Sequence, residues 1–110
     1  MLTQLWVHDL EAFAELEVQD QERVMGRTKL DSVALPKEQR PADAHISVAE
    51  IHDEAGEERP IYRRSTPFGT VAERGLYFVT FSAERDRFEQ VLEAMYGVTN
   101  PQVRDRILDF

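Results

Sequence analysis

The chain contains no cysteine. Disulfides, thiolate-held iron–sulfur clusters and zinc–thiolate sites are thereby excluded. Positive charge is scarce: 13 Lys and Arg stand against 21 Asp and Glu, a net charge of −8. That balance opposes non-specific binding to nucleic acid or to an anionic membrane surface. No apolar run approaches the ~20 residues of a membrane span. No basic stretch followed by a long apolar run opens the sequence, so no signal peptide is expected and the default compartment is the cytoplasm. Glycine and proline number only five each, so each is informative as punctuation. What remains is 110 residues, 42% of them hydrophobic. That suits one domain with a real core, and it is too apolar for a disordered chain.

Leu5 to His8 is short and β-prone and reads as a strand. Asp9 is placed to cap a helix, with Leu10, Phe13 and Leu16 forming an inward stripe. Gln19 to Met25 continues as helix, and Gly26 stops it. Residues 30–44 carry Pro36 and Pro41 without periodicity and read as a long loop. His45 to Ile51 and Pro60 to Ser65 read as extended segments, joined into a hairpin by the turn at Asp53 to Gly56. Gly75 to Phe81 is the clearest strand. It is apolar on both faces and therefore central in a sheet. Ser82 is placed to cap the next helix, in which Phe88, Val91, Leu92 and Met95 make one buried stripe. Gly97 ends that helix, and Val103 to Phe110 is a charged amphipathic tail. The order implies an α+β fold: an antiparallel sheet with helices on one face, in the manner of a ferredoxin-like unit.

The chemistry concentrates between Asp43 and Gly69. His45 is a candidate metal or haem ligand, and Arg63 is its cationic companion. Plainer readings exist for both. A lone histidine in a strand is usually structural, and an arginine on a sheet commonly pairs with a glutamate. Strand alternation sends Arg64 to the face opposite Arg63. His8, in an edge-like strand, and His52, solvated beside the acidic turn, keep the structural reading. Asp105 reads as an N-cap, since a carboxylate there accepts backbone N–H groups. The acidic run Asp53 to Glu58 lacks calcium-loop spacing and reads as a solvated turn.

Six segments, taken together, carry a family resemblance. They are Val7-His8-Asp9-Leu10, Gln21 to Lys29, Asp43-Ala44-His45, Arg63 to Gly69, Gly75-Leu76-Tyr77-Phe78 and Asp105 to Phe110. In order and spacing they resemble the C-terminal half of dye-decolorising (DyP-type) haem peroxidases, over nearly the whole chain. The resemblance implies that His45 matches the proximal ligand of haem b iron. Arg63 matches the distal arginine that helps bind and split peroxide. Asp105 matches the acid that accepts the proximal histidine's other N–H, while Leu76 and Phe78 cover the distal pocket. It implies a haem peroxidase that uses hydrogen peroxide to oxidise dyes or phenolic compounds, a small organic molecule serving as the reductant. It also implies one ferredoxin-like half, residues 1–110, of a dimeric α+β barrel-type peroxidase fold.

The chain departs from the family pattern in three places. The distal Gly-x-x-Asp-Gly motif is not in this sequence, and with it goes the family's acid–base group for peroxide. The family's last strand is also missing, so the domain reads as truncated at both ends. Ser65 stands where some members carry asparagine. The alternative is therefore a haem-binding half-domain, or a truncated product, with little turnover. An open sheet edge implies a homodimer or a complementing N-terminal half.

Overall fold

A computed structural model describes residues 1–110. Strand β4 (Arg74–Phe81) is the axis of the sheet. On one side it pairs antiparallel with β1 (Leu2–Val7), Leu5 lying opposite Tyr77. On its other side it pairs with β2 (Tyr62–Arg63) and β3 (Thr66–Gly69), which keep a single register along it. Pro67 fits here because its side of the strand faces the open edge, where no ladder N–H is required. The sheet is open, four-stranded and antiparallel, and its central strand is the one that the apolar run at 75–81 predicts.

The helices lie on one face. Asp9 accepts the Ala12 N–H at 3.0 Å and caps α1 (Leu10–Glu15). Helix α2 (Val18–Met25) ends at Gly26, whose φ of 82° is left-handed. Gly56 and Gly97 are left-handed as well, at the turn and the stop expected of them. Helix α4 (Asp86–Met95) buries Phe88, Val91 and Met95 along its inner stripe. Full burial of such side chains stabilises by about 1.5–3 kcal/mol each. The α1 stripe is shallower than expected: Leu10 is exposed, and Phe13 packs edge-on against Phe110.

Three expectations are corrected. His45 to Ile51 is not a strand: His45–Ala49 is a short helix, α3, that packs on α4 through buried Val48. The turn at Asp53 to Gly56 does form, closed by Asp53 N–H to Glu57 C=O at 2.8 Å, but its flanks make only an isolated bridge between His52 and Glu58. The hairpin is thus a bend between a helix and a sheet edge. Ser82 does not cap α4 either. Its hydroxyl accepts the Glu84 N–H in the preceding turn, and Arg85 occupies the cap position. That turn is fastened from outside by Arg59, which bonds Glu84 at 2.8 Å and Asp86 at 3.0 Å.

The strands pack on strands and the helices on helices. Between the two layers, where a simple sandwich would interdigitate, lies a cavity of about 520 Å³. No helix is long and apolar enough to cross a membrane.

Candidate functional site

The cavity has two different walls. The sheet supplies the even-numbered face of β1 (Leu2, Gln4, Trp6, with His8 just beyond) and Leu76, Phe78 and Thr80 of β4. Alternation of side chains across a strand puts these residues on one face. Arg63 and Ser65 complete this wall from the edge. The helical layer supplies Phe88, Val91, Leu92 and Met95 from α4, and His45 and Ala49 from α3. The tail closes one end with Ile107, Leu108 and Phe110. Most of the lining is hydrophobic and no carboxylate is among it.

His45 is fixed from behind. Its Nδ1 lies 2.7 Å from Oδ2 of Asp105, whose side chain is fully buried. A carboxylate accepts, so Nδ1 carries the hydrogen and Nε2 is the ring nitrogen left without a protein partner. The other Asp105 oxygen, Oδ1, accepts the Ile107 N–H at 3.0 Å and caps the 3-10 turn Arg106–Asp109. The N-cap and histidine-partner readings of Asp105 are therefore both true, one for each oxygen. The backbone holds the pair together: Asp105 N–H donates to Met95 C=O, and Arg106 N–H to Asp43 C=O.

Arg63 forms no ion pair. The sheet-surface reading, an arginine paired with a glutamate, does not hold for it. It borders the main cavity and also a second one of about 300 Å³, which shares Met25, His45, Ala49 and Ile61 with the first. Arg27, Arg59, Glu50 and Glu58 bring polar character to this second cavity. Arg64 lies on the other face, its guanidinium 5.1 Å from the Tyr62 ring centroid, as alternation requires. His52 pairs with Glu50 at the surface, consistent with a structural role.

The five residues singled out by sequence thus meet in one cavity system. His45, Arg63, Leu76 and Phe78 line it, and Asp105 stands directly behind His45. Sequence reasoning missed three contributors. His8 carries a structural reading in the sequence, yet it is among the residues that line the cavity. The α4 stripe was read as core alone, yet it is the cavity's floor. Thr80 carried no signal, because a threonine in a strand is an ordinary strand residue.

The donor set bears on what this cavity can hold. No three His, Asp or Glu side chains cluster to hold a metal ion. A single imidazole cannot complete the coordination of a bare ion. It does suit a metal whose remaining positions are filled by a flat macrocycle, and apolar walls suit the macrocycle's faces.

Comparison with known proteins finds one family. The family model described as Dyp-type peroxidase, C-terminal, matches residues 1–110. A dye-decolorizing peroxidase of Mycolicibacterium paratuberculosis is 43% identical over 109 residues, covering 97% of this chain and 31% of the relative. One from Mycobacterium tuberculosis is 41% identical, covering 97% and 32%. Among solved structures, a variant of DypB from Rhodococcus jostii RHA1 in complex with heme superposes with a TM-score of 0.93 at 36% identity, over 98% of this chain and 36% of that one. The encapsulated DyP-type peroxidase from Mycobacterium smegmatis gives 0.92 at 39% identity, over 98% and 36%. The chain spans about a third of the length of the curated relatives it matches.

Proposed function

Because the chain belongs to the Dyp-type peroxidase family, in that family's C-terminal part, we propose that residues 1–110 form the haem-binding domain of a dye-decolorising peroxidase. The observation that carries this reading is the buried Asp105 behind a cavity-lining imidazole, with an unpaired guanidinium bordering the same cavity. Haem b is the group whose faces and single protein ligand match that arrangement.

Each residue then has a task. His45 offers Nε2 to the metal. Asp105 holds the imidazole's tautomer and orientation and makes Nε2 more basic. Arg63 supplies a positive charge from the sheet side, where it stabilises negative charge that develops as a peroxide O–O bond breaks. A guanidinium in that place can also pair with a carboxylate of the cofactor. Leu76 and Phe78, backed by Trp6, keep bulk water out of the sheet side of the cavity. When bound, haem supplies the redox iron that takes electrons from a small organic reductant and passes them to hydrogen peroxide.

A second reading rests on its own observation. No carboxylate lines the main cavity, and Glu50 and Glu58 border only the smaller one, so the main cavity brings no acid–base group of that kind to peroxide. Taken alone, the domain binds haem with turnover near background, and the missing group comes from another part of the assembly. That part is an N-terminal half, or a second copy of this chain.

The test is a haem titration of the purified chain beside His45→Ala. A saturable Soret shift that requires His45 supports the haem site, and its absence removes both readings. Peroxide-dependent oxidation by the loaded protein, measured against free haem, then separates enzyme from binder.

A further inference from the structure

Arg63 sits on the weakest part of the sheet. Strand β2 is two residues long and lies at an edge. Arg63 lies opposite Thr80, and its neighbour Arg64 donates its N–H to Val79 C=O at 2.8 Å. In an antiparallel ladder, hydrogen-bonded and non-hydrogen-bonded pairs alternate. Arg64 and Val79 are a bonded pair, so Arg63 and Thr80 are not. The backbone N–H and C=O of Arg63 therefore point away from β4. Its position is set only by the residues on either side of it.

Thr80 compensates for this. It is fully buried, and its side chain is on the cavity face between apolar Phe78 and the end of the strand. Its Oγ1 donates to the Tyr62 C=O at 2.9 Å. That carbonyl is the bond immediately before Arg63. A buried hydroxyl costs stability unless it is hydrogen-bonded, and an apolar side chain here would need no such partner. The hydroxyl is spent on one acceptor, one residue away from the cavity's unpaired cation.

We propose that Thr80 is a positioning residue for Arg63, its hydroxyl pinning the Tyr62 carbonyl so that the edge strand presents the guanidinium to the cavity. The proposal rests on reading Arg63 as the cavity's working cation, but its first test does not need a cofactor. Amide exchange at Arg64 in the cofactor-free chain is expected to quicken in Thr80→Val and to stay at the wild-type rate in Thr80→Ser, which keeps the hydroxyl. Equal rates in all three proteins would overturn it, and so would a Thr80→Ser variant that loosens as much as Thr80→Val.

The second test uses the ferric haem-loaded chain and fluoride, a small anion whose binding at the iron gains from a nearby guanidinium. Thr80→Val is expected to lower fluoride affinity roughly 3- to 10-fold, the range of one hydrogen bond. In an Arg63→Leu background the same substitution is expected to change nothing further. A loss that persists in that background means that Thr80 acts without Arg63, and the assignment fails. If the wild type shows no His45-dependent haem binding, the functional reading falls, while the Arg64 exchange rates still decide whether Thr80 holds the strand.

Discussion

Nδ1 of His45 and Oδ2 of Asp105 lie 2.7 Å apart although 60 residues of chain separate them. The contact joins the start of α3 to the tail, and the tail is itself tied back by Asp9 N–H to Phe110 C=O and by the Phe13–Phe110 ring contact. Orientation of the imidazole is thus a property of the whole fold. The same carboxylate caps the 3-10 turn with its second oxygen, so one residue has a chemical and a structural task that substitution can separate.

Asp105→Asn keeps an oxygen acceptor and the side chain's shape but removes the charge. Haem affinity is expected to fall by roughly 10- to 100-fold, as for other residues that orient a metal ligand, with a smaller loss in urea stability. Asp105→Ala leaves the His45 Nδ1–H and the Ile107 N–H without acceptors in a buried setting. It is expected to cost about 2–4 kcal/mol by urea denaturation. Equal stability of the two variants would show that the cap is dispensable.

Gly26 couples the helical layer to His45. Its φ is 82°, and a Cβ there would lie 2.5 Å from Cγ1 of Ile46, the residue after His45. Gly26→Ala therefore combines backbone strain, costing on the order of 1–3 kcal/mol, with a push on α3. The expected result is a lower Tm together with weaker haem binding. A variant that loses stability but keeps wild-type haem affinity would show that α3 absorbs the push without turning His45.

Much of this organisation was legible in the sequence, for identifiable reasons. The run Gly75 to Phe81 had to be a central strand because both its faces are apolar, and it is. The α4 stripe shows the helical period over two turns, long enough to be unambiguous. Strand alternation placed Arg63 and Arg64 on opposite faces correctly. His45 to Ile51 failed because Ile46, Val48 and Ile51 are β-branched and locally favour extension. Helix α3 is only five residues long, too short for a 3.6-residue period to declare itself. Its burial against α4 overrides local preference, which no local pattern records. Thr80 was illegible for a related reason: its task depends on which carbonyl the edge strand brings to it.

The network around Glu84 sets an acid limit. Hydrogen bonds from Arg87 first and Arg59 second hold the Glu84 carboxyl below its ordinary range, while Arg59 is raised, chiefly by Asp86. A carboxyl with a depressed folded pKa contributes stability above its unfolded value, about 4.3 for glutamate. That contribution is lost as pH falls through the folded value. Stability is thus expected to decline below about pH 4.3, as the turn before α4 loosens. Glu84→Gln should flatten that part of the pH–stability curve and leave the region above pH 6 parallel to wild type. An unchanged acid limb would assign acid sensitivity to other carboxylates.

The outer face of the sheet carries the last expectation. Leu5 and Tyr77 face each other across β1 and β4, and both are half-exposed. Val7, Phe81 and Tyr62 extend the patch over three strands, with Tyr62 and Phe81 in ring contact. Aromatic side chains carry much of the contact area of protein interfaces, and this face offers three of them with aliphatic neighbours. In a chain with a net charge of −8, this face carries apolar and aromatic side chains with Arg64 stacked on Tyr62, and it is suited to a second sheet. Without an N-terminal half, the chain is expected to pair with itself through this face, giving a dimer at micromolar concentration by sedimentation. Leu5→Lys with Tyr77→Lys places like charges on both sides of the two-fold contact and is expected to give a monomer. Because the two positions point away from the cavity, His45-dependent haem binding should survive in that monomer. A wild-type chain that sediments as a monomer at every concentration would remove self-pairing and leave the face to an N-terminal half.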